Sequence, residues 1–125
     1  MSSLALITRR RAFAVAGSDR AQSAITDRLS ECGVEVFYGH RGENVNDCDA
    51  VVYTLAIGED NPEYKRAVER GIPAISRADY LGYIMTGYTR RLGVAGMHGK
   101  SSCTSMLAQI FLDAAERGES SDPTI

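Results

Sequence analysis

The residues with the clearest chemistry form a glycine-rich segment, Gly-Met-His-Gly-Lys-Ser-Ser, at positions 96–102. A β-prone run precedes this segment and a long amphipathic pattern follows it, which is the context of a phosphate-binding loop. Backbone N–H groups at the start of a helix lack partners, and the helix dipole favours an anion there. Lys100 would then reach the terminal phosphates of a nucleotide, and the Ser101 hydroxyl would bind Mg²⁺.

The segment departs from the general pattern G-x-x-x-x-G-K-[ST] at one position, because Val94 stands where the first glycine is expected. The alternative is a plain glycine-rich turn between a strand and a helix. The Gly-Lys-Ser sequence at the start of a long helical pattern favours the phosphate loop over that alternative.

The elements that must position this loop alternate along the chain. Helical periodicity covers residues 2–10, 23–32, 61–70, 77–86 and 101–116, and β-prone runs cover residues 13–16, 34–38, 50–54, 72–75 and 92–95. This alternation predicts an α/β fold, with a parallel sheet and helices on both of its faces. Ligands of such sheets lie at the carboxyl ends of the strands, so residues just after each strand are the candidate site residues.

Two helical patterns predict particular buried faces. In the helix at 23–32, Ile25, Leu29 and Cys32 share one face. The last helix has a longer apolar face at 3.6-residue spacing, which we expect to be buried. Its members are Cys103, Met106, Leu107, Ile110, Phe111 and Ala114.

Composition and charge exclude several classes of protein. The 125 residues carry a formal net charge of −2, so a dedicated nucleic-acid binder is not expected. No apolar run approaches the roughly 20 residues that span a bilayer, and the first apolar run precedes its arginines, unlike a secretory signal. Three cysteines without metal-type spacing predict free thiols and a cytoplasmic location.

The loop at 96–102 resembles that of the Mur ligase family, which usually reads A-G-T-H-G-K-T-T and also lacks the early glycine; Met97 replaces its threonine. Other segments resemble the L-alanine-adding member of this family, in order and over nearly the whole chain. They are Gly-Ser-Asp at 17–19, Gly-His at 39–40, Glu-Asn-Val at 43–45, Val-Val-Tyr-Thr-Leu-Ala-Ile at 51–57, Asp-Asn-Pro-Glu at 60–63, Gly-Ile-Pro at 71–73, Ser-Arg-Ala at 76–78 and Thr-Ser-Met at 104–106.

The resemblance implies a fold, a reaction and a division of the chain. Residues 1–88 would be a Rossmann-like domain that binds a UDP-sugar, and residues 89–125 would contribute the P-loop strand and helix of an ATP-binding domain. The reaction would use ATP and Mg²⁺ to phosphorylate the lactyl carboxylate of UDP-N-acetylmuramate. The amine of L-alanine would then attack the acyl phosphate, in the synthesis of peptidoglycan precursors.

The same resemblance implies two sets of site residues, with Lys100 as the catalytic residue and Ser101 as the Mg²⁺ ligand. The ATP-binding set is Gly96, Met97, His98, Gly99, Lys100, Ser101 and Ser102. The UDP-sugar-binding set is Ser18, Asp19, His40, Thr54, Ala56, Ile57 and Arg77.

Most residues of the UDP-sugar set also have a structural interpretation. Ser18 and Asp19 would serve equally well as a helix N-cap, and His40 would serve as an ordinary turn residue. Residues 54–57 would simply pack a loop, and Arg77 would cap the neighbouring turn. Within the phosphate loop, His98 would orient the loop and is not expected to act as a general base.

The resemblance also implies expectations about the two ends. The family's first strand and its glycine-rich loop would precede Met1, and the rest of the ATPase domain and a C-terminal domain would follow Ile125. Strand edges would then be exposed, so we expect reduced stability or a partner chain, such as a second copy in a homodimer, covering them. Residues 1–125 alone are not expected to catalyse the ligation.

Three other functions remain open from the residues. A stand-alone P-loop NTPase or switch would need an acidic Mg²⁺ ligand at a strand end, and the run at 50–54 ends without one. An NAD-type module would need an N-terminal G-x-G-x-x-G, which the chain lacks. The third possibility is an α/β domain that retains no ligand.

Overall fold

The computed structural model describes residues 1–58 and 60–118, which fold into alternating helices and strands. The elements are α1 (Ser2–Arg10), β1 (Ala16–Asp19), α2 (Ala24–Glu31), β2 (Glu35–Tyr38), a 3₁₀ helix (Gly42–Val45), β3 (Val51–Tyr53), α3 (Pro62–Glu69), β4 (Ala74–Ser76), α4 (Arg77–Thr86) and α5 (Lys100–Glu116). The chain divides into two compact units, Met1–Tyr88 and a second that begins at Thr89. None of the described helices combines the length and the apolar character that crossing a membrane requires.

All strand pairs of the first unit are parallel, which confirms the predicted α/β class. In one sheet β1 pairs with β2, with Ser18 opposite Phe37, and in the other β3 pairs with β4, with Val52 opposite Ile75. Among the described residues these are two separate two-stranded sheets rather than the single sheet expected from the alternation. Each of β1 and β3 therefore pairs along one edge only.

Local capping explains where three helices begin. Ser23 and Thr26 form a capping box at the start of α2, in which each side chain accepts the other's backbone N–H. The Asn61 side chain accepts the N–H groups of Glu63 and Tyr64, and Pro62 occupies the first turn of α3, as the sequence predicted. Ser76 caps α4 in the same way.

The core of the described residues is small and lies within the first unit. Its buried apolar side chains are Leu4, Val34, Val45, Ala67 and Ile84. Thr26 is also buried, and its hydroxyl donates a 2.8 Å hydrogen bond to the carbonyl of Ser23, so its burial leaves no unpaired donor.

Two predictions about the first unit were wrong in detail. The first strand begins at Ala16 rather than at residue 13, because a turn closes α1 and the ladder with β2 starts only there; Phe13 is 60% exposed. In α2 the buried residue is Thr26, which turns towards Tyr38 of β2. Ile25, one position away, therefore points outward, and Cys32 is exposed too.

The second unit corrects two further predictions. Residues 92–95 form no strand in the described chain, because a strand needs a hydrogen-bonded neighbour and none pairs with them. The predicted core face of α5 is only partly covered. Leu107, Phe111 and Ala114 are half-buried, whereas Met106 is 68% exposed, Ile110 is 63% exposed and Cys103 is exposed. The helix was predicted correctly, but none of its residues is buried.

The cap of α3 gives a stability prediction. We expect Asn61→Ala to lower the free energy of unfolding by about 1 kcal/mol, because two N–H groups of the first turn lose their acceptor. Urea denaturation followed by circular dichroism measures the change. Asn61→Asp keeps an acceptor and should stay close to the unsubstituted chain; equal losses in both variants would contradict the capping role.

Candidate functional site

Four polar side chains meet at the carboxyl ends of β1 and β2. Ser18 belongs to β1, and His40 follows β2 by two residues. Asn44 comes from the 3₁₀ helix, and Glu63 from the first turn of α3. We call these four residues the polar cluster.

Glu63 is the centre of the polar cluster. Its Oε2 accepts a 2.7 Å hydrogen bond from the Ser18 hydroxyl and lies 3.1 Å from Nδ1 of His40. Its Oε1 accepts a 2.7 Å hydrogen bond from the amide of Asn44. Ser18 Oγ also lies 2.9 Å from His40 Nδ1, so serine, histidine and glutamate form a closed triangle.

Burial makes these contacts energetically important. The side chain of Glu63 is only 13% exposed and that of His40 is 28% exposed. A carboxylate withdrawn from water is stable only when donors replace its hydration. The Ser18 hydroxyl and the Asn44 amide do so here, and His40 Nδ1 is the third neighbour of the carboxylate. Among the described residues no buried side-chain nitrogen or oxygen lacks a hydrogen-bond partner.

A cavity of about 130 Å³ adjoins the polar cluster. Its lining comes from the three strands β1, β2 and β3, from the 3₁₀ helix and the segment that follows it, and from Glu63 of α3. The residues are Ala16, Gly17, Ser18, Phe37, Asn44, Val45, Cys48, Ala50, Val51, Val52 and Glu63. Typical ligand pockets measure roughly 300–1,000 Å³. A nucleotide would therefore lie outside the strand ends, over Ser18 and His40, rather than within this cavity.

The structure places the other predicted UDP-sugar residues at strand or helix ends but outside the hydrogen bonds of the polar cluster. Asp19 ends β1 and is exposed, and its carboxylate accepts the N–H of Arg20. Ser23 caps α2, so the N-cap interpretation of Ser18 and Asp19 was wrong. Arg77 begins α4 with an exposed side chain, and Ser76 provides the cap there.

Thr54, Ala56 and Ile57 form a turn directly after β3. The hydroxyl of Thr54 accepts the N–H of Ala56 at 3.4 Å, and its carbonyl accepts the N–H of Ile57 at 3.1 Å. These bonds shape the turn itself. No hydrogen bond between described residues links the turn to the polar cluster.

In the second unit, residues 96–102 have the geometry of a helix N-terminus preceded by a tight loop. Gly99 takes φ 75°, in the left-handed region, and α5 starts at the next residue. The N–H of Cys103 is the first to bond back to Gly99, so the N–H groups of Lys100, Ser101 and Ser102 have no such partner within the helix. This arrangement suits an anion.

The side chain of Lys100 folds back onto the loop. Lys100 Nζ donates to the carbonyls of Gly96, at 2.7 Å, and Met97, at 3.2 Å, which holds the ammonium against the loop. His98 and Ser101 are exposed. No cluster of three or more acidic, histidine or cysteine side chains suited to a metal occurs in the described ranges. Mg²⁺ at Ser101 would thus take its other ligands from phosphate and water.

Asn44 and Glu63 were not predicted as site residues. Both lie in segments that carried the resemblance, but nothing local marks them as partners. Asn44 is 19 residues from Glu63, and Ser18 is 45 residues from it. Only the packing of α3 against the 3₁₀ helix brings these side chains together.

Comparison with known proteins agrees with these observations. The family described as "Mur ligase family, catalytic domain" matches residues 1–89. UDP-N-acetylmuramate–L-alanine ligases from Clostridium beijerinckii and Clostridium tetani are 46% and 41% identical over all of this chain, and the chain spans 26% of each relative. The crystal structure of UDP-N-acetylmuramate-alanine ligase MurC from Thermotoga maritima superposes with a TM-score of 0.81 at 31% identity, over 86% of this chain and 25% of that one.

The parallel strands, with polar groups gathered at their carboxyl ends, define an α/β domain of the kind that binds nucleotides. More particularly, the chain belongs to the Mur ligase family.

Cys48 provides a chemical probe of this region. Its thiol lies 3.9 Å from the carbonyl of Asn44, and burial, followed by the carboxylates of Asp47, Asp49 and Glu63, raises its pKa. Since the thiolate is the reactive form, we expect the midpoint of its alkylation rate against pH to lie above that of a free thiol. Iodoacetamide labelling followed by mass spectrometry measures this midpoint.

Replacing Cys32 and Cys103 with serine isolates Cys48, because the chain has three cysteines. Asp49→Asn on that background should lower the midpoint, since one of the charges that raise the pKa is removed. A Cys48 midpoint equal to that of a capped cysteine peptide without carboxylates would contradict the described surroundings.

Proposed function

We propose that this chain supplies the UDP-sugar site and the ATP-phosphate loop of a UDP-N-acetylmuramate–L-alanine ligase. The polar cluster at the carboxyl ends of β1 and β2 carries the proposal, because that edge of a parallel sheet is where nucleotides bind. The relatives, whose names describe this ligase, support the same substrate. The chain spans about a quarter of their length, so the proposed activity belongs to a whole ligase of that kind.

The proposed division of labour follows the two units. Residues 1–88 bind UDP-N-acetylmuramate through Ser18, His40 and the strand-end residues Asp19, Thr54, Ala56, Ile57 and Arg77. Residues 89–125 contribute the phosphate loop for ATP. Both substrates are cytoplasmic metabolites in this scheme, which accords with three cysteines that form no disulfide.

The chemistry proposed for the phosphate loop is electrostatic. ATP supplies the phosphoryl group that activates the substrate carboxylate, with Mg²⁺ neutralising developing charge. The free N–H groups at the start of α5 bind phosphate oxygens, and Lys100 moves from the loop carbonyls towards the terminal phosphate. The Ser101 hydroxyl is the proposed Mg²⁺ ligand. Within the whole ligase the amine of L-alanine then attacks the acyl carbon, forming the amide bond as the C–O bond breaks and inorganic phosphate leaves.

Calorimetric titration tests the substrate assignment. We expect the chain to bind UDP-N-acetylmuramate more tightly than UDP-N-acetylglucosamine, because only the former carries the lactyl carboxylate. Ser18→Ala should weaken binding of UDP-N-acetylmuramate by about tenfold. This is the loss of affinity expected when about one hydrogen bond that involves a charged group is removed.

Lys100→Ala is the matched control. It should abolish binding of Mg-ATP and leave binding of UDP-N-acetylmuramate unchanged, because it lies in the phosphate loop rather than in the first unit. Binding of Mg-ATP alone by the unsubstituted chain would contradict the ligase assignment and favour a P-loop switch. Binding of none of the three nucleotides would also contradict a UDP-sugar site in this chain.

We further propose that a second copy of the chain pairs with the exposed edges of β1 and β3. Each of these strands has one hydrogen-bonded neighbour among the described residues, and unpaired edges readily recruit another strand. Light scattering after size exclusion should show a concentration-dependent dimer. Gly17→Lys places a charge at the edge of β1, where a Cβ meets no atom within 4 Å, and should return the chain to a monomer. A monomer at all concentrations, with cooperative melting, would overturn this proposal.

A further inference from the structure

Glu63 has no role in the reaction as described so far, although it binds every other member of the polar cluster. We propose that Glu63 is a positioning residue: it holds the proton of His40 on Nδ1, so that Nε2 faces the bound nucleotide as a hydrogen-bond acceptor. The ligand group that this nitrogen would recognise is a hydroxyl of the ribose or of the sugar. The role of Nε2 rests on the proposed UDP-sugar site, whereas the position of the proton does not.

Counting hydrogens in the triangle locates the proton. An ionised carboxylate only accepts, so the 2.7 Å contact between Ser18 Oγ and Glu63 Oε2 uses the single hydroxyl hydrogen of Ser18. Ser18 Oγ is then left as an acceptor towards His40. His40 Nδ1 faces two acceptors, Ser18 Oγ at 2.9 Å and Glu63 Oε2 at 3.1 Å, and must donate.

The protonation of Nε2 follows from that of Nδ1. A neutral imidazole carries one N–H, so with Nδ1 protonated Nε2 bears a lone pair. No described residue forms a hydrogen bond with Nε2 of His40, and the side chain is 28% exposed at the carboxyl end of β2. The unprotonated Nε2 can accept a hydrogen bond from a ligand hydroxyl. In the opposite tautomer Nε2 would carry the proton and would donate.

Asn44 explains why the carboxylate keeps this orientation. Its amide donates to Glu63 Oε1 at 2.7 Å and to the carbonyl of Gly39 at 3.1 Å, one residue before His40. Oε1 is thereby occupied, and Oε2 remains for Ser18 and His40. Contacts on both oxygens therefore fix the carboxylate before a ligand binds. Carboxylates that accept from the second ring nitrogen of a metal-binding histidine orient the ring in a similar way.

Nuclear magnetic resonance of the 125-residue chain tests the position of the proton directly. Long-range ¹H–¹⁵N correlations at mildly alkaline pH distinguish the two neutral tautomers of a histidine. The chain has two histidines, so His98→Gln assigns the signals of His40. We expect His40 in the Nδ1–H form. A predominant Nε2–H form would overturn the proposal.

Glu63→Gln separates the tautomer role from a general effect on folding. The glutamine amide can donate to Nδ1, so the proton of His40 should move to Nε2. The backbone amide spectrum should remain that of a folded protein. Ser18→Ala removes the other acceptor but keeps Glu63, and His40 should remain in the Nδ1–H form. An unchanged tautomer in a folded Glu63→Gln variant, or a reversed one in Ser18→Ala, would overturn the role of Glu63. If Glu63→Gln does not fold, the tautomer of His40 in the unsubstituted chain and in Ser18→Ala still tests the proposal.

Calorimetry then separates this inference from the proposed function. With the unsubstituted chain binding UDP-N-acetylmuramate, Glu63→Gln should weaken binding by about tenfold, because Nε2 can no longer accept from a hydroxyl. Equal affinity of the two chains would overturn the positioning role. Absence of binding by the unsubstituted chain would refute the UDP-sugar site, while the tautomer measurement would still decide where the proton lies.

Discussion

The largely buried carboxylate of Glu63 forms the interactions on which the first unit depends most. It lies in the first turn of α3, where the N-terminal end of the helix dipole favours a negative charge. Its three hydrogen-bond partners come from β1, from the segment after β2 and from the 3₁₀ helix. A charge so far withdrawn from water is stable only while these partners stay in place. One side chain therefore ties four parts of the chain together.

This tie matters because the described strands form two separate sheets. No strand ladder connects β1–β2 with β3–β4, yet α3 contacts both β3 and β4, and its Glu63 holds β1 and the segment after β2. The polar cluster thus joins the two sheets at their carboxyl ends, where a parallel sheet places its ligand. Ser18 and His40, which are proposed to bind the nucleotide, also bind Glu63 and so help to hold the two sheets together. Binding at the proposed site would therefore stabilise this unit.

Sequence predicted the local features of the fold well and the long-range ones poorly. The start of α3 at Asn61 and Pro62, and the phosphate-loop turn at Gly99, depend on neighbouring residues and were visible in the pattern. Which face of α2 is buried depends on the position of β2, so Ile25 was misplaced. Two of the four residues of the polar cluster were predicted, because Ser18 and His40 follow β-prone runs of the sequence. Glu63 acquires its partners only through tertiary packing, which no single segment encodes.

In the proposed binding mode, the polar cluster binds the nucleotide of a UDP-sugar through an acceptor nitrogen. A crystal structure of the chain with UDP-N-acetylmuramate would show this contact. The nucleotide should lie across the carboxyl ends of β1 and β2, with a ligand hydroxyl within hydrogen-bonding distance of His40 Nε2 and the contacts of Glu63 unchanged. A nucleotide bound elsewhere on the chain, or a diphosphate oxygen at His40 Nε2, would contradict it.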